Sequence, residues 1–194
     1  MKHIQNMATG RAKGRGIRGF TLIELLVVVG ILAVLAIAAL IAINPLEAQR
    51  KARDSTRLTD IARLQSVIEA YINDEGAVGI TNGNHQSNAV GQVRSQSCAS
   101  GNWIGAIDLC PYLKQVPLDP MNARTVSVLN GAGGRVQTPV AGAGYGFFYS
   151  TGTGDYEFCL YLEADKNDEI LNSDGGSTAN LFETGTDLTL ACAP

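Results

Sequence analysis

The sequence predicts an α+β fold in which one long N-terminal helix packs part of its length on a small antiparallel sheet. Three observations carry this. An apolar run of 24 residues, Phe20–Ile43, leads through Asn44-Pro45 into a second helical pattern. Residues 46–75 then repeat apolar side chains at three- and four-residue steps. The only clear two-residue alternation comes much later, around residues 145–163, where two arms flank the STGTGD turn.

Each segment has its own logic. Residues 1–19 hold Lys2, Arg11, Lys13, Arg15 and Arg18 with no acid and few apolar side chains, so this leader is not expected to fold. At 1.5 Å per residue, the run from residue 20 makes a helix of about 36 Å, enough for a hydrocarbon core of about 30 Å. A cleaved secretory signal fits poorly, because its apolar region is usually about 7–15 residues long and ends at a cleavage site. Pro45 lacks a backbone donor and clashes with the turn before it, so a kink or loosening is expected there. Beyond it, Leu58, Ile61, Leu64, Ile68 and Tyr71 mark the face of an amphipathic helix, with Arg57 and Asp60 expected among its polar positions. The expected domains are a leader over 1–19, an apolar helix over 20–45, its amphipathic continuation over 46–76 and a globular head over 77–194.

In the head, 77–97 reads as a polar loop with little core, and 129–143 as a flexible Gly/Ala-rich stretch. Tyr145–Ser150 and Tyr156–Glu163 read as a hairpin with one buried face, and Thr186–Cys192 as a third strand. Trp103 is expected to anchor the 98–110 loop in the core. Val116–Pro120 (VPLDP) reads as a proline-fixed turn.

Composition narrows the chemistry. Outside the leader the chain carries 10 basic and 18 acidic residues, so nucleic acid is not expected as its partner. His85 is the only histidine beyond the leader, which excludes sites that need two. A hydrolase built on His85 with a serine and an aspartate would lack a nucleophile motif such as GxSxG, and the glycine-rich turns lack the GK[ST] of a phosphate loop. No catalysis and no obligatory cofactor is therefore expected. Cys98, Cys110, Cys159 and Cys192 all lie in the head and form no CxxC, which points to two disulfides in an oxidising compartment, with three connectivities open. Residues 165–176 (DKNDEILNSDGG) gather oxygen ligands, with Asp165, Asn167 and Asp174 as candidate Ca²⁺ ligands; a solvated acidic turn is the alternative.

The junction RGFTLIELLVVVGILAVLAIAAL is the most specific feature. A basic leader ending in Gly19, then Phe20, then a lone carboxylate at Glu24 in an apolar helix resembles the class III signal of type IV pilins and pseudopilins. The proline lies a few residues later than is common in that family. The resemblance implies cleavage after Gly19 by a prepilin peptidase, N-methylation of Phe20, and an assembly role for Glu24. It implies a homo-polymer of identical or related pilins, built by inner-membrane assembly machinery. The precursor would sit in the cytoplasmic membrane with its head outside, then pass into a surface pilus or a periplasmic pseudopilus. A C-terminal disulfide region like that of many pilins implies Cys159–Cys192, with Cys98–Cys110 closing a short loop around Trp103. The acidic segment resembles the calcium loop of the major pseudopilin of type II secretion in place and composition. A membrane-anchored binding module or minor pilin/adhesin is the alternative from another class.

Overall fold

A computed structural model describes residues 19–91, 93 and 95–194. The leader expected over 1–19 lies outside these residues except for Gly19. The described residues divide into two compact units, one ending at Ile43 and one running from Asn44 to Pro194.

In the first unit, helix α1 spans Leu22–Ile43 and buries none of its residues. Its composition explains both facts. Leucine and alanine favour helix, and valine and isoleucine are tolerated, so the backbone bonds internally. The apolar side chains run all round the helix and leave no polar face for water.

The second unit opens with α2, Pro45–Glu75. The loosening expected beside Pro45 falls at Asn44, which adopts φ 45°, ψ 75° and accepts a hydrogen bond from the Glu47 N–H through its side chain. Pro45 takes the first helical position, where its missing donor costs nothing. Ile61, Leu64, Ile68 and Tyr71 are buried as their spacing predicts. Arg57, expected on the polar face, is fully buried, and Asp54 is buried one turn earlier. Ile61 and Leu64 follow Arg57 by four and seven residues, which puts this arginine on the apolar stripe, and spacing outranked residue type.

The central sheet has four antiparallel strands in the order β1-β6-β7-β8. These are β1 (Gly83–Gln86), β6 (Tyr145–Tyr149), β7 (Tyr156–Leu160) and β8 (Phe182–Gly185); Phe147 faces Phe158 in the central pair. Two short antiparallel pairs flank it: β2 (Ser95–Ser97) with β3 (Gln115–Pro117), and β4 (Ser127–Leu129) with β5 (Arg135–Gln137). A four-residue helix, α3, spans Asp168–Leu171.

Four expectations need correction. The polar stretch 77–97 contains β1 and β2, because backbone pairing to β6 and β3 needs no apolar side chain in the added strand. The Gly/Ala-rich stretch contains β5 and the end of β4. The third strand is Phe182–Gly185 and not Thr186–Cys192. There Asp187 accepts the Thr189 N–H and hydroxyl in a local turn, and Cys192 is tied to Cys159, so the segment crosses the sheet and does not extend it. Finally, β7 is buried on both faces. Tyr156, Phe158 and Leu160 join the core formed with α2, while Cys159 and Tyr161 join a second cluster with Val126, Val128, Leu181 and Cys192.

Two disulfides, Cys98–Cys110 and Cys159–Cys192, close segments of 12 and 33 residues. Chain entropy gives them roughly 3 and 4 kcal/mol. Trp103 is buried beside the first and donates its indole N–H to the Pro117 carbonyl at 3.1 Å.

Candidate functional site: the start of helix α1 and the ion cluster of the head

The start of α1 is built by three residues. Phe20 is exposed just ahead of the helix. The Thr21 hydroxyl accepts the Glu24 N–H at 3.2 Å, while the Thr21 N–H and hydroxyl both donate to Glu24 Oε2 at 2.8 Å. This is a reciprocal capping box, which satisfies helix-end donors that would otherwise face an apolar medium. The T-x-x-E spacing of Thr21 and Glu24 carries that signal, and sequence reasoning missed it by reading Glu24 only as a charge. Glu24 Oε1 makes no hydrogen bond among the described residues, so the cap occupies one carboxylate oxygen and leaves the other open. Helix α1 itself is long enough for the span, at about 33 Å, and its mean hydropathy reaches 3.3.

Residues 14–40 match the family model of the prokaryotic N-terminal methylation motif. The chain carries a type IV pilin-like N-terminus. The match takes in the end of the leader, Gly19, Phe20, Thr21 and Glu24, and most of α1. No curated protein and no solved structure matches the chain. The pilin-like helix is accordingly a candidate membrane anchor by length and composition.

The head, beyond this pilin-like N-terminus, contains an ion cluster that sequence reasoning did not find. Arg57 donates to Asp119 through Nε at 2.6 Å and Nη2 at 3.0 Å, and to Asp54 through Nη1 at 2.8 Å. Its Nη2 also lies 2.7 Å from Glu163 Oε1. Arg53 binds the same Glu163. Burial alone would lower the pKa of Arg57, but Asp119, Glu163 and Asp54 outweigh it and hold it raised. Burial would likewise raise Glu163, and the two arginines hold it below the ordinary carboxylate range. Asp54 also accepts the backbone N–H groups of Glu163 and Ala164. The cluster therefore joins α2 to the VPLDP turn, through Asp119, and to the exit of β7. The only sequence clue was Asp119 in that turn together with Arg57 on the helix stripe.

The three candidate calcium ligands are not brought together. Asp165 pairs with Arg135 at 2.6 Å, and Asn167 donates to Asp54 at 2.7 Å. Asp174 accepts the Gly176 and Glu183 N–H groups, each at 2.9 Å. Among the described residues there is no group of three or more His, Cys, Asp or Glu side chains that could hold a metal ion. His85 Nε2 lies 3.2 Å from the Thr81 hydroxyl and 3.1 Å from the Thr81 carbonyl, and no serine or aspartate bonds to it among the described residues.

Proposed function

We propose that the chain is a structural subunit of a type IV pilus or pseudopilus. It is cut between Gly19 and Phe20 by a prepilin peptidase, methylated on the new amine of Phe20, and assembled through α1 by inner-membrane machinery into a polymer of identical or related pilins. The observation that carries this reading is a 22-residue apolar helix with no buried residue, most of it within a matched methylation motif. Such a helix needs lipid while it waits and the α1 helices of other subunits once assembled. Two disulfides in the head favour an oxidising exterior. Filament assembly takes Glu24 out of the wetted interface, where a lone carboxylate needs a cation. The freed amine of Phe20 on a neighbouring subunit supplies one, and Glu24 Oε1 is the oxygen open to it. No catalytic group is required of the head.

N-terminal sequencing of the membrane or filament form is expected to begin at N-methylated Phe20. A start at Met1, or after an alanine within residues 33–42, overturns both the processing and the subunit reading.

A further inference from the structure

The outer face of the central sheet holds two carboxyl groups that filament assembly does not use. Glu157 lies on β7 opposite Gly185, and Glu183 lies on β8 opposite Cys159, so the two stand diagonally on one face. Both are buried, at 0% and 1% exposure. Both oxygens of Glu157 and Oε1 of Glu183 have no hydrogen-bond partner, whereas Glu183 Oε2 accepts the Thr178 N–H at 2.9 Å.

The C-terminal segment lies over this pair like a strap. At one end Thr186 and Tyr156 exchange bonds, Thr186 N–H to the Tyr156 carbonyl and Tyr156 N–H to the Thr186 hydroxyl, both 2.9 Å. In the middle Cys192 is bonded to Cys159 of β7. At the far end the Ala193 carbonyl accepts from Asn84 at 2.9 Å and Gln86 at 3.1 Å, which flank His85 on β1. The strap thus spans the sheet from β8 to β1.

An ionised carboxylate only accepts hydrogen bonds, so two facing carboxylates cannot satisfy each other, whereas a protonated one can donate to its neighbour. Among the described residues no salt bridge reaches either glutamate. A calcium ion takes about six to eight oxygens. Three free carboxylate oxygens on two residues fall short of that and suit a proton. We infer that Glu157 and Glu183 share one proton, and that this proton keeps the C-terminal strap closed, which makes the head sensitive to pH.

The charges around Glu157 agree. Burial, then the neighbouring Glu183 carboxyl, then Asp187 in the strap, push its pKa up to about 8, and the nearby Cys192 N–H offsets only part of this. From β6 the residue opposite Glu157 is Phe148, which carries no charge. With the folded value raised, the folded state holds a proton that the unfolded chain has released. Stability and strap protection therefore fall as pH rises from the ordinary carboxylate range to about 8, and level off above it.

The test uses the full chain in detergent micelles. Hydrogen exchange of residues 186–194, corrected for intrinsic pH dependence, and the melting temperature are followed from pH 5 to 9. Protection from exchange and melting temperature are both expected to fall with pH in the unaltered protein, by several degrees in melting temperature, and to flatten over that range in Glu157→Gln, whose amide donates to Glu183 at any pH. Infrared absorption of a protonated carboxyl is expected to persist at pH 7 and vanish above pH 9, a readout that needs no variant to fold. A flat profile, an unchanged slope in Glu157→Gln, or no such absorption overturns the proposal. So does calcium that raises the melting temperature of the unaltered chain at pH 8 but not that of Glu157→Gln, since the pair would then hold a metal.

Discussion

Replacing Arg57 with alanine is expected to unfold the head or leave it barely stable. The guanidinium is fully buried and answers Asp54, Asp119 and Glu163 at once. Its removal strands three carboxylates against one remaining arginine, Arg53. Breaking a buried ion pair from one side costs about 3–5 kcal/mol, and a domain of this size has about 5–15 kcal/mol in total. Arg57→Lys is expected to rescue little, because a single ammonium cannot reproduce the two-pronged bond to Asp119. The denaturation midpoint of the full chain in micelles checks this, and a midpoint within a few tenths of a kcal/mol of the unaltered protein refutes it. The cluster also sets an acid limit. Because Glu163 titrates below its ordinary range, its contribution is present above that range and is lost as pH falls through the lowered value.

The second large effect concerns Glu24, and the capping box allows two roles to be separated. Glu24→Ala removes both the cap and the charge, and is expected to abolish filaments while leaving synthesis, insertion and cleavage after Gly19 intact. Glu24→Gln is the sharper variant. Glutamine serves a capping box as glutamate does, so the Thr21 contacts survive and only the charge is lost. If Glu24 neutralises the Phe20 amine of a neighbour, Glu24→Gln also accumulates in the membrane without filaments. Thr21→Ala removes the cap partner, at about 0.5–2 kcal/mol, and should still assemble. Filaments recovered by shearing, with processing verified by mass, give the readout. Normal yield from Glu24→Gln would reduce the carboxylate to a helix cap and refute charge pairing.

The apolar helix, the amphipathic stripe and the β6–β7 hairpin were legible because each repeats a short period many times, and local periodicity survives without tertiary information. The N-terminal junction was legible for a different reason, since its residues stand at fixed spacing along one short stretch of chain. Arg57 and Asp119 are 62 residues apart and meet only after folding. Nothing in a single sequence marks an arginine as buried except its place on the stripe, and its charge argued the other way. Strand β1, GNHQ, has almost no apolar content, and its place in the sheet comes from backbone bonds to β6. The 165–174 segment reads in composition either as an oxygen cage or as a solvated acidic turn. Composition does not show that Asp165, Asn167 and Asp174 each bond a different partner once β5, β8 and α2 are packed.

The Cys159–Cys192 bond has a mechanical meaning. A pull applied between the start of α2 and the C-terminus passes from residue 159 to residue 192 through covalent sulfur, so the segment between them, closed at a sequence separation of 33, bears no tension. Unravelled, that stretch would add roughly 110 Å of length. Strand β8, helix α3 and Glu183 all lie within this slack loop, while β1 and β6 lie on the loaded path. Pulled between those two points, the chain would give way outside this loop first, and β8, α3 and Glu183 would stay folded until the sulfur bond is reduced.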